Sequence, residues 1–194
     1  MLDFLLRPFS YLHIDHDVKK HVDWTLPIVL AFISSLALWG LAQWGDMVIY
    51  GGNGVIAKVL GFVQNLPGFY IAALAAIATF NRPDIDMHIP EPTPVMDIKI
   101  HGRNVAIKLT RRRFLCAMFA FLTAESILIT GAAIMGLSIA DPVKSRVSMS
   151  IWPLMKYTYF FVFMVLVWQM LVATFWGLYY LGEKLHQPDQ VGST

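Results

Sequence analysis

Glu125 is the sole acidic residue deep inside any of the four long apolar stretches of this 194-residue chain. A carboxylate at bilayer depth costs on the order of 2.5–3.5 kcal/mol on insertion scales, less if protonated or paired. Its presence therefore points to chemistry: ion or proton handling, or a switchable contact between helices. The structural alternative is a hydrogen bond to Gln169, to Gln64 or Asn65, or to a bound lipid. Those three amides read individually as interhelical glue rather than as ligands. At about 100° per residue, Cys116, Ala120, Thr123, Ala124, Thr130, Gly131 and Ser138 share one small-residue face of the third stretch. Small faces let helices approach closely. Glu125 lies nearly opposite, in line with Met118, Phe121, Ile129, Ala132 and Gly136. If the small face packs within the chain, Glu125 must meet a second subunit or an aqueous cavity, and the third helix should have little lipid contact.

Other clusters carry weaker chemical signals. His13, Asp15, His16, Asp17, His21 and Asp23 could offer imidazole and carboxylate to zinc or nickel. No second element obviously supplies converging ligands, so a solvated juxtamembrane helix is expected, with no metal and no cofactor. Arg111, Arg112 and Arg113 immediately precede the third stretch. They suit anionic lipid headgroups, at about 1 kcal/mol each near the surface. The stretches hold no histidine and no paired carboxylate, and no phosphate-cradling glycine loop appears anywhere. No catalytic residue can be nominated, and the expectation is a protein that is not an enzyme. A net charge of +2 without a broad basic, aromatic-bearing surface excludes direct nucleic-acid binding as the expectation.

The elements that must position these residues are membrane spans. Trp24–Trp44, Val55–Phe80, Phe114–Ala140 and Tyr157–Leu181 are each long enough, at 1.5 Å per residue, to cross a hydrocarbon core of about 30 Å. The composition agrees, with 57% hydrophobic and 14% charged residues, well away from soluble domains. An all-α integral membrane protein follows, with residues 1–23 as a cytoplasmic or interfacial segment, 24–182 as the membrane domain, and 183–194 as a polar tail. Lys and Arg number 11 on the side holding both termini and the central loop, and 4 on the other. The positive-inside rule then places both termini in the cytoplasm of a bacterial inner membrane. The first twelve residues suit either a helix in the membrane interface or a segment folded back onto the bundle. In the second span, Gln64, Asn65, Pro67 and Gly68 predict a kink, or a short entry helix followed by a second one from about Leu66.

The loop 81–113 is the one sizeable extramembrane segment. Its first half is proline-rich, with Pro83, Pro90, Pro92 and Pro94. In the second half, Met96, Ile98 and Ile100, then Val105, Ile107 and Leu109, alternate with polar or small residues on either side of a glycine-containing turn. A period of two on both sides predicts a small cytoplasmic β-hairpin between helices 2 and 3. Thr110 is placed to cap the third helix. An isolated two-stranded hairpin is marginal in water, so its apolar face needs a cover. The N-terminal segment, a second copy or another protein could supply it. The outline resembles compact bacterial membrane subunits that work beside a soluble partner, including those of phage-defence or exclusion systems. That likeness is one of architecture and carries no residues. The expected function is a homo-oligomeric membrane sensor, anchor or effector that recruits a cytoplasmic protein through its loop. The alternative is a small ion or proton channel, or an ion-coupled transporter, using Glu125.

Overall fold

A computed structural model describes residues 3–14, 17–44, 48–79, 81, 83–90, 93–100 and 103–182. The described residues are mostly helical, with four helices long and apolar enough to span a membrane and one two-stranded sheet among them. In order, the elements are α1 (Asp3–Leu6), a 3₁₀ segment (Arg7–His13), α2 (Asp17–Lys20), a π-helical turn (His21–Thr25), α3 (Leu26–Trp44), α4 (Val55–Val63), α5 (Leu66–Thr79), α6 (Pro83–Asp86), β1 (Val95–Ile100), β2 (Arg103–Lys108), α7 (Arg111–Arg146) and α8 (Trp152–Gly182). The segments 1–23 and 183–194 are met in part only, since the tail lies outside the described residues.

The break in the second span falls at Gln64 and Asn65, and α5 restarts at Leu66. Pro67 thus sits in the first turn of α5, where its missing amide costs least. The third span is longer than its apolar run. The connection expected over 141–156 shrinks to residues 147–151, because α7 continues through Asp141 and Pro142 to Arg146. Pro142 lies in the last two turns, and the helix still closes with Val147 N–H donating to the Val143 carbonyl at 3.0 Å. With 36 residues, α7 is about 54 Å long at 1.5 Å per residue. It outruns the roughly 30 Å hydrocarbon core, so its ends project.

The helix α7 is the axis of the fold. Half of its most apolar window is buried, against 11% for the first span. On one side α5 packs closely along it: Tyr70 meets Phe119 at 6.2 Å, and the Arg112 guanidinium reaches the carbonyls at the end of α5. On another side α8 runs antiparallel, with Phe114 against Tyr180 at 5.7 Å near one end. Near the other end, Tyr159 donates to the Ala132 carbonyl at 2.5 Å. Gly136 permits that last contact. A Cβ there would sit 2.5 Å from the Tyr159 hydroxyl oxygen. The small-residue face is divided. Ala120, Thr123, Ala124 and Thr130 are half-buried, whereas Gly131 and Ser138 are exposed and Gly131 has open space where a Cβ would project.

Candidate functional site

The face of α7 that carries Glu125 is turned inward. Met118, Phe121, Leu122, Glu125 and Ile129 are all buried. Met118 lies against Gly177 of α8, and Phe121 is covered by the chain's own N-terminal segment. The 3₁₀ turn lays Tyr11 flat on Phe121, ring centroids 5.1 Å apart, and Phe9 edge-on to the same ring at 5.9 Å. Glu125 is thus buried within the single protomer. The fold-back is physically reasonable because the first twelve residues bring two large rings to a helix face otherwise short of aromatic cover. Stacked and edge-on pairs each contribute about 0.5–1.5 kcal/mol beyond area burial.

Polar groups gather beside these rings. Lys19 and Asp23, one helical turn apart, form a buried ion pair. The Tyr11 hydroxyl donates to Asp23 Oδ1 at 3.4 Å, and the Lys19 ammonium lies 4.1 Å from the Tyr11 ring centroid. Gln169 Nε2 donates to the Asp23 carbonyl at 2.8 Å, tying α8 to the turn before α3. Burial, then the Asp23 carboxylate, then Glu125 push the Tyr11 phenol well above its ordinary value. Burial pulls the Lys19 amine down, against the opposing pull of Asp23. Glu125 is 2% exposed, and neither of its carboxyl oxygens has a hydrogen-bond partner. Leaving a buried polar group unsatisfied costs about 1–3 kcal/mol, so the surrounding packing offsets a standing penalty.

The expected polar set does not converge. Gln169 joins the knot, but Gln64 and Asn65 are exposed at the α4–α5 junction, where the Asn65 amide donates to the Gly61 carbonyl of its own helix at 3.3 Å. Sequence reasoning missed Tyr11, Lys19 and Asp23 as interior partners. The available signal was the four-residue spacing of Lys19 and Asp23 beside an apolar N-terminus. Among the described residues no group of three or more His, Cys, Asp and Glu could hold a metal.

The second arrangement is the module between α5 and α7. β1 and β2 pair antiparallel, Met96 opposite Ile107 and Ile98 opposite Val105, so these four positions share one face. β2 begins at Arg103, two residues earlier than the apolar alternation suggests. The side chains of Ile98 and Ile100 lie outside the described residues. Leu109, expected on the apolar face of the ribbon, is instead fully buried at its base. Its N–H donates to the Pro94 carbonyl at 3.1 Å, and its carbonyl accepts from Ile89 N–H at 3.2 Å. A bridge between His88 and Thr110 and a bond from Arg111 N–H to the Met87 carbonyl at 3.0 Å continue this stitching.

Two of the three arginines assigned to lipid headgroups hold this module instead. Arg111 is buried, with Nη1 directed at the Asp84 carbonyl at 3.5 Å. Arg112 grips Asp86 with Nε at 2.6 Å and Nη2 at 3.0 Å, while its Nη1 donates to the Ile77 and Ala78 carbonyls at 2.7 and 3.2 Å. A planar fork can serve a carboxylate and orphan helix carbonyls at once, which a lysine cannot. Arg113 is exposed, and Thr110 caps α7 by accepting from its N–H at 3.3 Å. On the ribbon, Val95 at its base and Val105 nearer its turn are 39% and 40% exposed. The sheet has no third strand among the described residues.

The fold has four helices long and apolar enough to span a membrane, with a hairpin clamped between the second and third of these segments. No protein-family model, curated protein or solved structure matches the chain.

Proposed function

We propose that this chain is a non-enzymatic membrane subunit that presents its hairpin to a soluble protein partner on the cytoplasmic face of a bacterial inner membrane. The observation that supports it most is the contrast within residues 83–110. The base is fixed by Arg111, Arg112 and Leu109, while Val105 on the apolar face of the ribbon stays exposed and no third strand joins the sheet among the described residues. A mere connector between two spans has no use for such anchoring. Open strand edges and an apolar face are what strand addition by a partner exploits. The uneven Lys and Arg distribution supports the cytoplasmic placement. Because α7 starts directly at the hairpin and runs unbroken past Glu125, a disturbance inside the bilayer can reach the ribbon through one rigid rod. The subunit thus reads as a sensor or anchor, and a second copy of the chain is the other candidate cover for the ribbon.

Site-specific photo-crosslinking in living cells tests this, with the probe at Val105 and a control probe at Ile134, which is exposed on α7. The expected result is a discrete adduct of Val105 with a soluble protein, lost when Ile107 is changed to Asp. An adduct of twice the protomer mass would make the ribbon a self-association surface. No adduct at any ribbon position would end the proposal.

A second reading, an ion or proton channel, draws on the unpartnered Glu125 oxygens near Asp23. Gln64 and Asn65 do not line that path. Liposome flux with the wild type and Glu125→Gln tests it: flux lost in the variant supports a channel, and unaltered or absent flux removes it.

A further inference from the structure

At the end of the bundle away from the hairpin, the helices do not close. Two adjoining cavities of about 240 and 330 Å³ share Tyr50, Ala140, Trp152 and Lys156 as common walls. They differ in chemistry. The first is lined by Met135, Ile139, Val143, Met155 and Tyr159 and is almost wholly apolar. The second opens among Asp141, Lys144, Lys156 and residues 48–51. Joined, they fall within the roughly 300–1,000 Å³ typical of small-ligand sites.

The walls are built rather than accidental. Tyr50 leans on both Trp152 and Tyr159 at 6.1 Å. Burial, with Tyr159 next to it, pushes the Tyr50 phenol up to about 12, so it stays a neutral hydroxyl. Gly136 leaves room for Tyr159 to lie across α7 and form one side of the apolar chamber. Gly54 sets the position of 48–51. A Cβ there would strike the Ile49 carbonyl oxygen at 2.5 Å, and the Gly54 N–H donates to the Gly51 carbonyl at 3.0 Å. Met135, Ile139 and Met155, on the rim of the apolar chamber, are exposed where acyl chains would run. The lysines sit where α7 emerges from the membrane-spanning stretch and α8 begins, the level of lipid phosphates. Lys144 is also a positive charge that the orientation count leaves unexplained.

We infer that this hollow binds one anionic phospholipid of the bilayer, its acyl chain in the apolar chamber and its phosphate between Lys144 and Lys156. The two lysines outnumber Asp141 at the mouth, so the site favours a net negative headgroup over a zwitterionic one. Such a site gives the subunit a contact with membrane composition on the face opposite the hairpin. It does not depend on what the hairpin binds.

The test uses the full chain in detergent, followed by native mass spectrometry with phosphatidylglycerol, phosphatidylcholine of identical acyl chains, and inorganic phosphate. The expected result is one retained phosphatidylglycerol per chain. Lys144→Gln with Lys156→Gln should weaken it about thirtyfold, the equivalent of roughly 1 kcal/mol per basic residue. Ala140→Phe, which projects into both chambers, should abolish it. If that variant misfolds, the lysine pair and the competition decide alone. Equal retention of phosphatidylcholine, no change in the double variant, or displacement by equimolar inorganic phosphate would each overturn the inference. The last would reduce the site to one for free phosphate.

Discussion

The two ends of α7 are built by opposite rules. Towards the hairpin, rings stack on rings, and Lys19, Asp23, Gln169, Arg111 and Arg112 are each spent on another part of the chain. Towards the far end, Tyr50, Trp152 and Tyr159 lean on one another around open space, and Lys144 and Lys156 line it. One helix thus joins a filled end to a hollow one. On the reading proposed above, the difference teaches where rigidity is needed: the filled end holds the hairpin platform at a fixed angle, and the hollow end keeps room for a lipid.

Large-to-small changes break this comparison most sharply. Phe121→Ala removes the ring under both Phe9 and Tyr11, and the unfolding midpoint in detergent should report a loss of about 3–5 kcal/mol. The same truncation at Ile139, 45% exposed beside the hollow, should cost under about 1 kcal/mol. Equal losses would erase the distinction between the ends. Arg112→Ala frees Asp86 and the end of α5 together. Solvent screens this clamp, so the unfolding midpoint should fall by less than it does for Phe121→Ala. Hydrogen exchange should rise across 83–90, and Arg112→Lys should restore only part. Thr110→Ala, which deletes the cap of α7, should cost about 1 kcal/mol and fray the first turn without moving the ribbon.

The smallest effect is one of pH. Hydrogen bonds from Arg112 hold the Asp86 carboxyl below the ordinary carboxylate range. A depressed folded value means that the clamp is fully present above the unfolded value and is lost as pH falls through the folded one. Protection factors at 83–90, exchange rates taken relative to the unstructured chain at the same pH, should therefore fall in acid, and Asp86→Asn should remove that dependence.

Much of the scaffold is legible in the residues. Apolar length gives four spans, the Gln64–Pro67 cluster gives the break, and alternation around a glycine turn gives the ribbon. The end of α7 is not legible, because a proline near a helix terminus stops nothing when the neighbouring amides remain paired. Nor is the direction in which Glu125 faces. Spacing shows which residues share a helix face, but the side that turns inward depends on a segment over a hundred residues away. Arg111 and Arg112 mislead for a related reason. Basic residues at a span end suit headgroups, yet two of them find carbonyls and a carboxylate supplied by the preceding helices.

The hairpin platform is the central claim, and hydrogen exchange of the full chain in lipid nanodiscs tests it most directly. The amides of Ile89, Leu109 and Arg111 should be protected nearly as well as the middle of α7, while outward-facing amides of β1 and β2 exchange fast. Uniformly rapid exchange from 83 to 110 would show a loose tether where a fixed platform is required.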